Sequence, residues 1–168
     1  MLPETERLVL REFEPADAVF LQELMNTPGW LAFIGDRGIK TPEDAGNYIT
    51  DRLQPSYGKY GFGLYLVALR EGNTPVGMCG LVKRDMLEET DIGFAFLPQY
   101  AGKGYAHEAA LAVLRYAALE LGLQKIVAIT VPDNTRSIHL LEKLGLVFRE
   151  MVGEKQELML FASELNIC

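Results

Sequence analysis

The stretch Gln99-Tyr100-Ala101-Gly102-Lys103-Gly104-Tyr105-Ala106-His107-Glu108-Ala109 decides how this chain is read. Before it runs Asp91-Ile-Gly-Phe-Ala-Phe-Leu97, short and apolar enough for a strand. After it, alanine and leucine recur at helical spacing to about Leu121, with Ala106, Ala109, Ala110, Val113 and Ala117 as a core-facing stripe. Strand, glycine loop and helix N-terminus in that order can hold a phosphate. Gly102 and Gly104 let the backbone approach a ligand and turn its N–H groups one way. The helix behind them adds four N–H donors without intrahelical partners and roughly half a positive charge. A pyrophosphate can sit there without a basic side chain. A plain strand-to-helix turn is the alternative.

Competing motifs fail on spacing. A Walker loop needs Ser or Thr after its glycine–lysine pair, and Lys103 is followed by Gly104. A dinucleotide fingerprint needs glycine where His107 stands. His107-Glu108-Ala-Ala-Leu111 lacks the second histidine of a zinc-protease helix, and the chain has two histidines and no cysteine pair, so no metal site is expected. His107 and His139 read as solvated helix residues.

Upstream, Arg7–Phe13 reads as a first strand, and Pro15 and Asp17 open a helix that Asn26-Thr-Pro-Gly29 ends. Residues 30–40 carry no pattern. Thr41-Pro-Glu-Asp44 is a helix start with Thr41 as cap and Asp44 at the capping-box position, and this helix runs to about Leu53. Gly58–Gly63 reads as a loop. Leu64–Leu69 and Pro75–Lys83 form a hairpin around Glu71-Gly-Asn-Thr74, with Gly77 and Gly80 as weak points of the second strand. Downstream come a strand at Ile126–Val131, a helix at Asn134–Leu144, and strands at Val147–Val152 and Glu157–Phe161. This is a mixed α/β chain read as one domain over 1–168, hairpins first, with a crossover helix joining two parallel strands.

Composition narrows the function. With 168 residues, 49% hydrophobic and 23% charged, the chain is an ordinary globular one. Its apolar runs are too short to span a bilayer, and its N-terminus does not read as a signal peptide. Cys79 and Cys168 make no disulfide framework, which fits a reducing cytoplasm. The net charge of −7 disfavours nucleic acid and anionic membranes as partners and favours cationic ones. Monomer and homodimer both stay open.

The second informative segment is Pro132-Asp-Asn-Thr-Arg-Ser-Ile-His-Leu-Leu-Glu-Lys-Leu-Gly145. It is a helix capped by Asn134 and stopped by Gly145. It also places Asn134 and Ser137 one turn apart at the C-terminal end of a strand, where ligands collect in open α/β sheets.

Taken in order, Gln99-x-x-Gly102-x-Gly104, Asn134-x-x-Ser137 and Leu141-Glu-Lys-Leu-Gly145 resemble the GNAT N-acetyltransferases. The opening Thr5-Glu-Arg-Leu-Val-Leu-Arg11 resembles the RimJ/RimL-like branch, which acetylates protein N-terminal amines. The resemblance implies a single twisted mixed sheet of about seven strands, helices on both faces, splayed between the fourth and fifth strands. It implies acetyl-CoA as acyl donor and an amine as acceptor. Phe96, Leu97, Gln99, Tyr100, Ala101, Gly102, Lys103, Gly104, Tyr105, Ala106, Asn134 and Ser137 are then the cofactor-binding positions. The chemistry is direct attack of a neutral amine on the thioester, with a backbone N–H for the developing oxyanion and a proton donor for the leaving thiolate. Many members supply that donor as a tyrosine, and the matching position here is Leu141. Ser137 is therefore the candidate donor, Asp91 the candidate base and Glu89, two residues away on the same strand face, its reserve. A water relay is the alternative base. Trp30, Phe33, Tyr57, Tyr60 and Phe62 either wall an acceptor pocket or cap the core, and Asp36, Glu43, Asp44 and Asp51 would either suit a cationic acceptor or form a solvated helix face. Two other readings stand beside this one: a non-catalytic acyl-CoA-binding module, and a nucleotide-binding protein using the same loop.

Overall fold

Side chains of Leu64–Leu69 alternate between two apolar layers, and this sets the architecture. Tyr65 and Val67 join a core with Val113, Ala117, Ile126 and Phe161. Leu66 and Ala68 face the other way, into a second core with Phe13, Leu21, Leu24, Ile49 and Met78. The computed structural model describes residues 1–166, so Cys168 lies outside the described residues, while Cys79 is a buried free thiol. The described strands are β1 (Leu8–Arg11), β2 (Leu64–Leu69), β3 (Pro75–Val82), β4 (Asp91–Phe96), β5 (Lys125–Thr130), β6 (Val147–Val152) and β7 (Leu158–Glu164). They make one seven-stranded sheet in the order β1-β2-β3-β4-β5-β7-β6. The helices are α1 (Ala18–Leu24), α2 (Pro28–Phe33), α3 (Pro42–Tyr48), α4 (Gln54–Tyr60), α5 (Tyr105–Leu119) and α6 (Thr135–Lys143). The second core packs α1 to α3 on one face of the sheet, and the first core packs the alanine stripe of α5 on the other.

The fold is the expected mixed one, with β4, α5 and β5 as the parallel crossover unit. β4 and β5 share a single register pair, Asp91 with Val127, and no further ladder partner. The splay falls between the fourth and fifth strands, as the resemblance implied. Every other neighbouring pair is antiparallel.

Several boundaries differ from the sequence reading, each for a local reason. Asn26-Thr-Pro-Gly29 stops α1 but also starts α2: the Thr27 hydroxyl accepts the Trp30 N–H at 3.3 Å, with Pro28 in the first turn. The helix opened by Thr41 has the expected capping box. It does not stop at Leu53, because a π-helical turn over Ile49–Leu53 carries it into α4. Gly58 is therefore helical, and the stop is Gly61 at φ 77°. The Tyr57 hydroxyl explains the order of this region: it donates to the Leu64 carbonyl at 2.6 Å and accepts from the Phe13 N–H at 3.1 Å. The last strand, β7, is not an edge but lies between β5 and β6, which leaves β1 and β6 as the edges.

Candidate active site

The glycine loop is shaped by two left-handed residues, Gly102 at φ 76° and Gly104 at φ 81°. Gly104 is the N-cap of α5, and the first intrahelical bond is Glu108 N–H to the Gly104 carbonyl at 3.0 Å. The N–H groups of Tyr105, Ala106 and His107 therefore have no carbonyl of their own helix to bond, as at any helix start. A Cβ at Gly102 would meet nothing within 4 Å, so the glycine there serves backbone conformation, not close packing.

Arg7 braces this loop from outside. Its guanidinium donates to the Lys103 carbonyl at 2.9 Å and to Glu108 Oε1 at 2.7 Å, and it lies 4.6 Å from the centre of the Tyr105 ring. Glu108 also takes the Thr5 hydroxyl and the Arg7 backbone N–H.

That cleft has a volume of about 760 Å³ and runs from the loop toward the β4–β5 gap. Of the expected cofactor positions, Phe96, Tyr100, Ala101, Gly102, Gly104, Tyr105, Ala106, Asn134 and Ser137 line it. Leu97, Gln99 and Lys103 do not. Leu97 turns into the second core, and its N–H is used by the Val76 carbonyl at 2.9 Å. Lys103 is exposed and contributes its carbonyl to Arg7. His107, read as a solvated residue, is half-buried in the cleft wall, while His139 is exposed.

At the C-terminal end of β5, Asn134 caps α6 by accepting the Ser137 N–H on Oδ1 at 3.3 Å. This fixes the amide so that Nδ2 is its remaining donor. Asn134 and Ser137 line the cleft and also an adjoining second cavity of about 320 Å³ between β4 and β5. Leu141, one turn beyond Ser137, is buried in the wall of that second cavity and offers no hydroxyl.

Asp91 lines the same second cavity and is only 1% exposed. Its Oδ2 accepts from Arg84 Nε at 2.7 Å, whereas Oδ1 is buried without a partner among the described residues. Burial pushes this carboxyl up to about 6, and the adjacent Arg84, with the Ile129 backbone beside it, only partly offsets that. Such a group is ionised at neutral pH yet close enough to its pKa to exchange protons. Glu89 is not its strand neighbour: β4 starts at Asp91, so Glu89 sits in the preceding loop and lines neither cavity.

The aromatic cluster divides. Trp30 and Phe33 line both cavities, and Tyr48 lines the second. Tyr57 and Phe62 belong to the core, with Tyr57 stacked on Tyr65 at 5.5 Å between ring centres. The acidic residues expected near a cationic acceptor are employed elsewhere or stay outside the cavity. Asp36 pairs with Lys40 at 3.0 Å, Asp44 serves the α3 cap, and neither Glu43 nor Asp51 lines the second cavity. Sequence reading missed Arg84, because nothing in a loop residue seven positions before Asp91 signals that it will pair with it. Arg7 stood inside a quoted motif, but its contact with Lys103 spans 96 positions and leaves no periodic trace.

The family described as Acetyltransferase (GNAT) domain matches residues 7–147. The uncharacterized N-acetyltransferase YnaD of Bacillus subtilis (strain 168) is 32% identical over 142 residues, covering 84% of this chain and 80% of YnaD. The crystal structure of a GNAT-family acetyltransferase from Bacillus anthracis superposes with a TM-score of 0.78 at 29% identity, covering 98% of this chain and 99% of that one. The ribosomal-protein-S5-alanine acetyltransferase of Vibrio fischeri shares the fold, with a TM-score of 0.80, 19% identity, and 97% and 96% of the two chains covered. The chain belongs to the GNAT acetyltransferase family and is an N-acetyltransferase.

Proposed function

We propose that this chain, as one cytoplasmic domain over 1–168, transfers the acetyl group of acetyl-CoA to a primary amine in the β4–β5 gap. The observation that carries the reading is the continuity of the gap: a glycine loop opens one cavity, a buried carboxylate lines the other, and Asn134 and Ser137 border both. The residues fit the donor. Bare helix N–H groups and two left-handed glycines suit a pyrophosphate, and the cleft beyond them is walled by Phe94, Phe96 and Tyr100. Because β4 and β5 part after Asp91, β4 backbone groups on that side lack a strand partner and suit an extended amide-bearing arm.

Asp91 takes a proton from the acceptor ammonium, since an amine attacks only when neutral. Ser137 gives a hydrogen bond or a proton to the departing sulfur. The opening Thr5–Arg11 motif and the shared fold with the S5-alanine enzyme favour an α-amine over a lysine side chain as acceptor. An α-amine titrates near 8, against about 10.4 for lysine, so Asp91 has less work to do.

Two measurements test this. Excess CoA or acetyl-CoA, at about 100 times its dissociation constant, should stabilise the fold by about 2.7 kcal/mol, read as a higher Tm, while ATP at the same excess should not. No shift with either CoA species removes the donor site from the glycine loop. Ser137→Ala should lower kcat by about tenfold with little change in KM for acetyl-CoA. A rise in KM alone would make Ser137 a binding contact.

Arg7 supplies a separate prediction. Arg7→Ala frees the Lys103 carbonyl and should raise KM for acetyl-CoA about fivefold, equivalent to about 1 kcal/mol of lost preorganisation, with kcat nearly constant. Equal losses in kcat and kcat/KM would show that the brace acts on the chemistry and not on donor binding.

A further inference from the structure

Two buried polar atoms in this molecule have no hydrogen-bond partner among the described residues: Asp91 Oδ1 and Trp30 Nε1. Both residues line the second cavity. One atom is an acceptor and the other a donor, and a buried polar group left unpaired costs free energy that a ligand can relieve. The rest of the charge in that wall is positive. Arg84 engages Asp91 through Nε alone, which leaves its terminal nitrogens available. Arg37 also lines the cavity and forms no ion pair among the described residues. The charged lining is thus two arginines against one aspartate.

This set is wrong for a polyamine, whose second and third cations would meet guanidinium groups. It suits a ligand with one positive and one negative end. At about 320 Å³ the cavity lies at the small end of ligand sites, room for one compact molecule. We propose that the acceptor is a small zwitterionic amine, a free α-amino acid or close analogue. Its nitrogen would meet Asp91 Oδ1, and its carboxylate would meet Arg84, Arg37 and the Trp30 N–H.

This rests on the acetyl-transfer reading of the same gap. The ammonium gives one proton to Asp91. The freed lone pair forms a C–N bond to the acetyl carbon as the C–S bond breaks. The nitrogen then loses a second proton and the thiolate gains one. The balance is ammonium plus thioester to amide, thiol and one released proton. The nearby guanidinium charge has a further use, because it holds a carboxylate that would otherwise repel Asp91.

The test is a panel of free L-amino acids, the matching amino-acid amides, a short peptide and spermidine, with CoA release as one readout. Thermal shift of the CoA-bound protein with each amine is the second. At least one free acid should be preferred over its own amide by about tenfold or more in kcat/KM. Arg37→Ala should lower that acid-to-amide ratio by about tenfold, Arg37→Lys should restore part of it, and Arg149→Ala on β6 should leave it unchanged. Turnover of amides, peptide or spermidine without preference for any acid would overturn the zwitterion assignment and leave the acetyl-transfer reading intact. A shift with CoA but none with any free acid, and no turnover of one, would overturn it as well. Absence of a CoA shift counts against the donor site instead, and in that case the acids are tested by thermal shift alone, where no shift again rejects the assignment.

Discussion

Asp91→Asn is expected to lower kcat by about a hundredfold and, at pH 7, to raise the melting temperature. The two effects have one origin. The carboxylate is 1% exposed, with one oxygen on Arg84 and the other unpartnered. Ionising it in that position is unfavourable, which is why its pKa stands near 6 instead of the ordinary 3.8. A base of that strength is half-ionised near pH 6, so wild-type kcat/KM should fall as pH drops below about 6, and the variant should lose that limb. The stability sign follows from the same shift. A carboxyl whose folded pKa is raised favours the fold while it is protonated, below the unfolded value of 3.8, and loses that contribution as pH rises through about 6. Above pH 6 the penalty is complete, with a ceiling of about 3 kcal/mol from the shift of roughly two units. Asparagine carries no charge there, and Arg84, about a third exposed, can turn to water. The gain should therefore be several degrees at pH 7 and vanish by about pH 4. If the variant is less stable than wild type at both pH values, the Arg84 pair outweighs the burial penalty and Asp91 is a structural anchor. If stability rises but kcat is unchanged, a water relay carries the proton.

Much of this site was legible in the sequence because it is built from local signals. Gly102 and Gly104, the Asn134 cap and the Gly145 stop each act within a turn of their own position, and each adopts the expected conformation. The seven-stranded splayed sheet came from the resemblance, since no periodicity tells which strand lies beside which. Residues 27–63 were hardest to read. Thr27 both ends one helix and caps the next, and α4 keeps Gly58 helical because Tyr57 ties it to Phe13 and Leu64 from both sides. Such tertiary bonds override local propensity. On the acceptor side, Asp36 and Asp44 look available in the sequence, but pairing and capping occupy them. The cations that line the cavity, Arg37 and Arg84, come from segments without pattern.

Gly77 and Gly80 looked like weak points of β3, and the structure gives them the opposite meaning. A Cβ on Gly80 would lie 2.1 Å from the Gly63 carbonyl oxygen and 2.8 Å from Leu64 Cα. Both are backbone atoms of the neighbouring strand entry, so no side-chain rotation relieves the clash. Gly80→Ala should therefore destabilise the fold by about 3 kcal/mol or more, beyond the usual cost of one added methyl group in a packed core. The damage should reach the site. Displacing Gly63 strains its bond with the Leu81 N–H, now 3.0 Å, and moves Leu64, which lines the second cavity as Asp91 does. Gly80 also pairs with Gly93 across to β4, the strand that carries Asp91 at its start. In urea titrations the midpoint should fall while the slope stays constant. At temperatures where the variant remains folded, kcat/KM for the acceptor should fall more than KM for acetyl-CoA rises, because the glycine loop follows the C-terminal end of β4, whereas Asp91 stands at its start. A Gly102→Ala control separates the two ends. It meets no atom within 4 Å but must hold φ 76°, so its cost of about 1 kcal/mol is conformational and should appear in donor binding. Equal losses of donor and acceptor binding in Gly80→Ala would mean that the sheet transmits the strain as a whole, and that the close β2–β3 contact sets overall stability without shaping the acceptor wall.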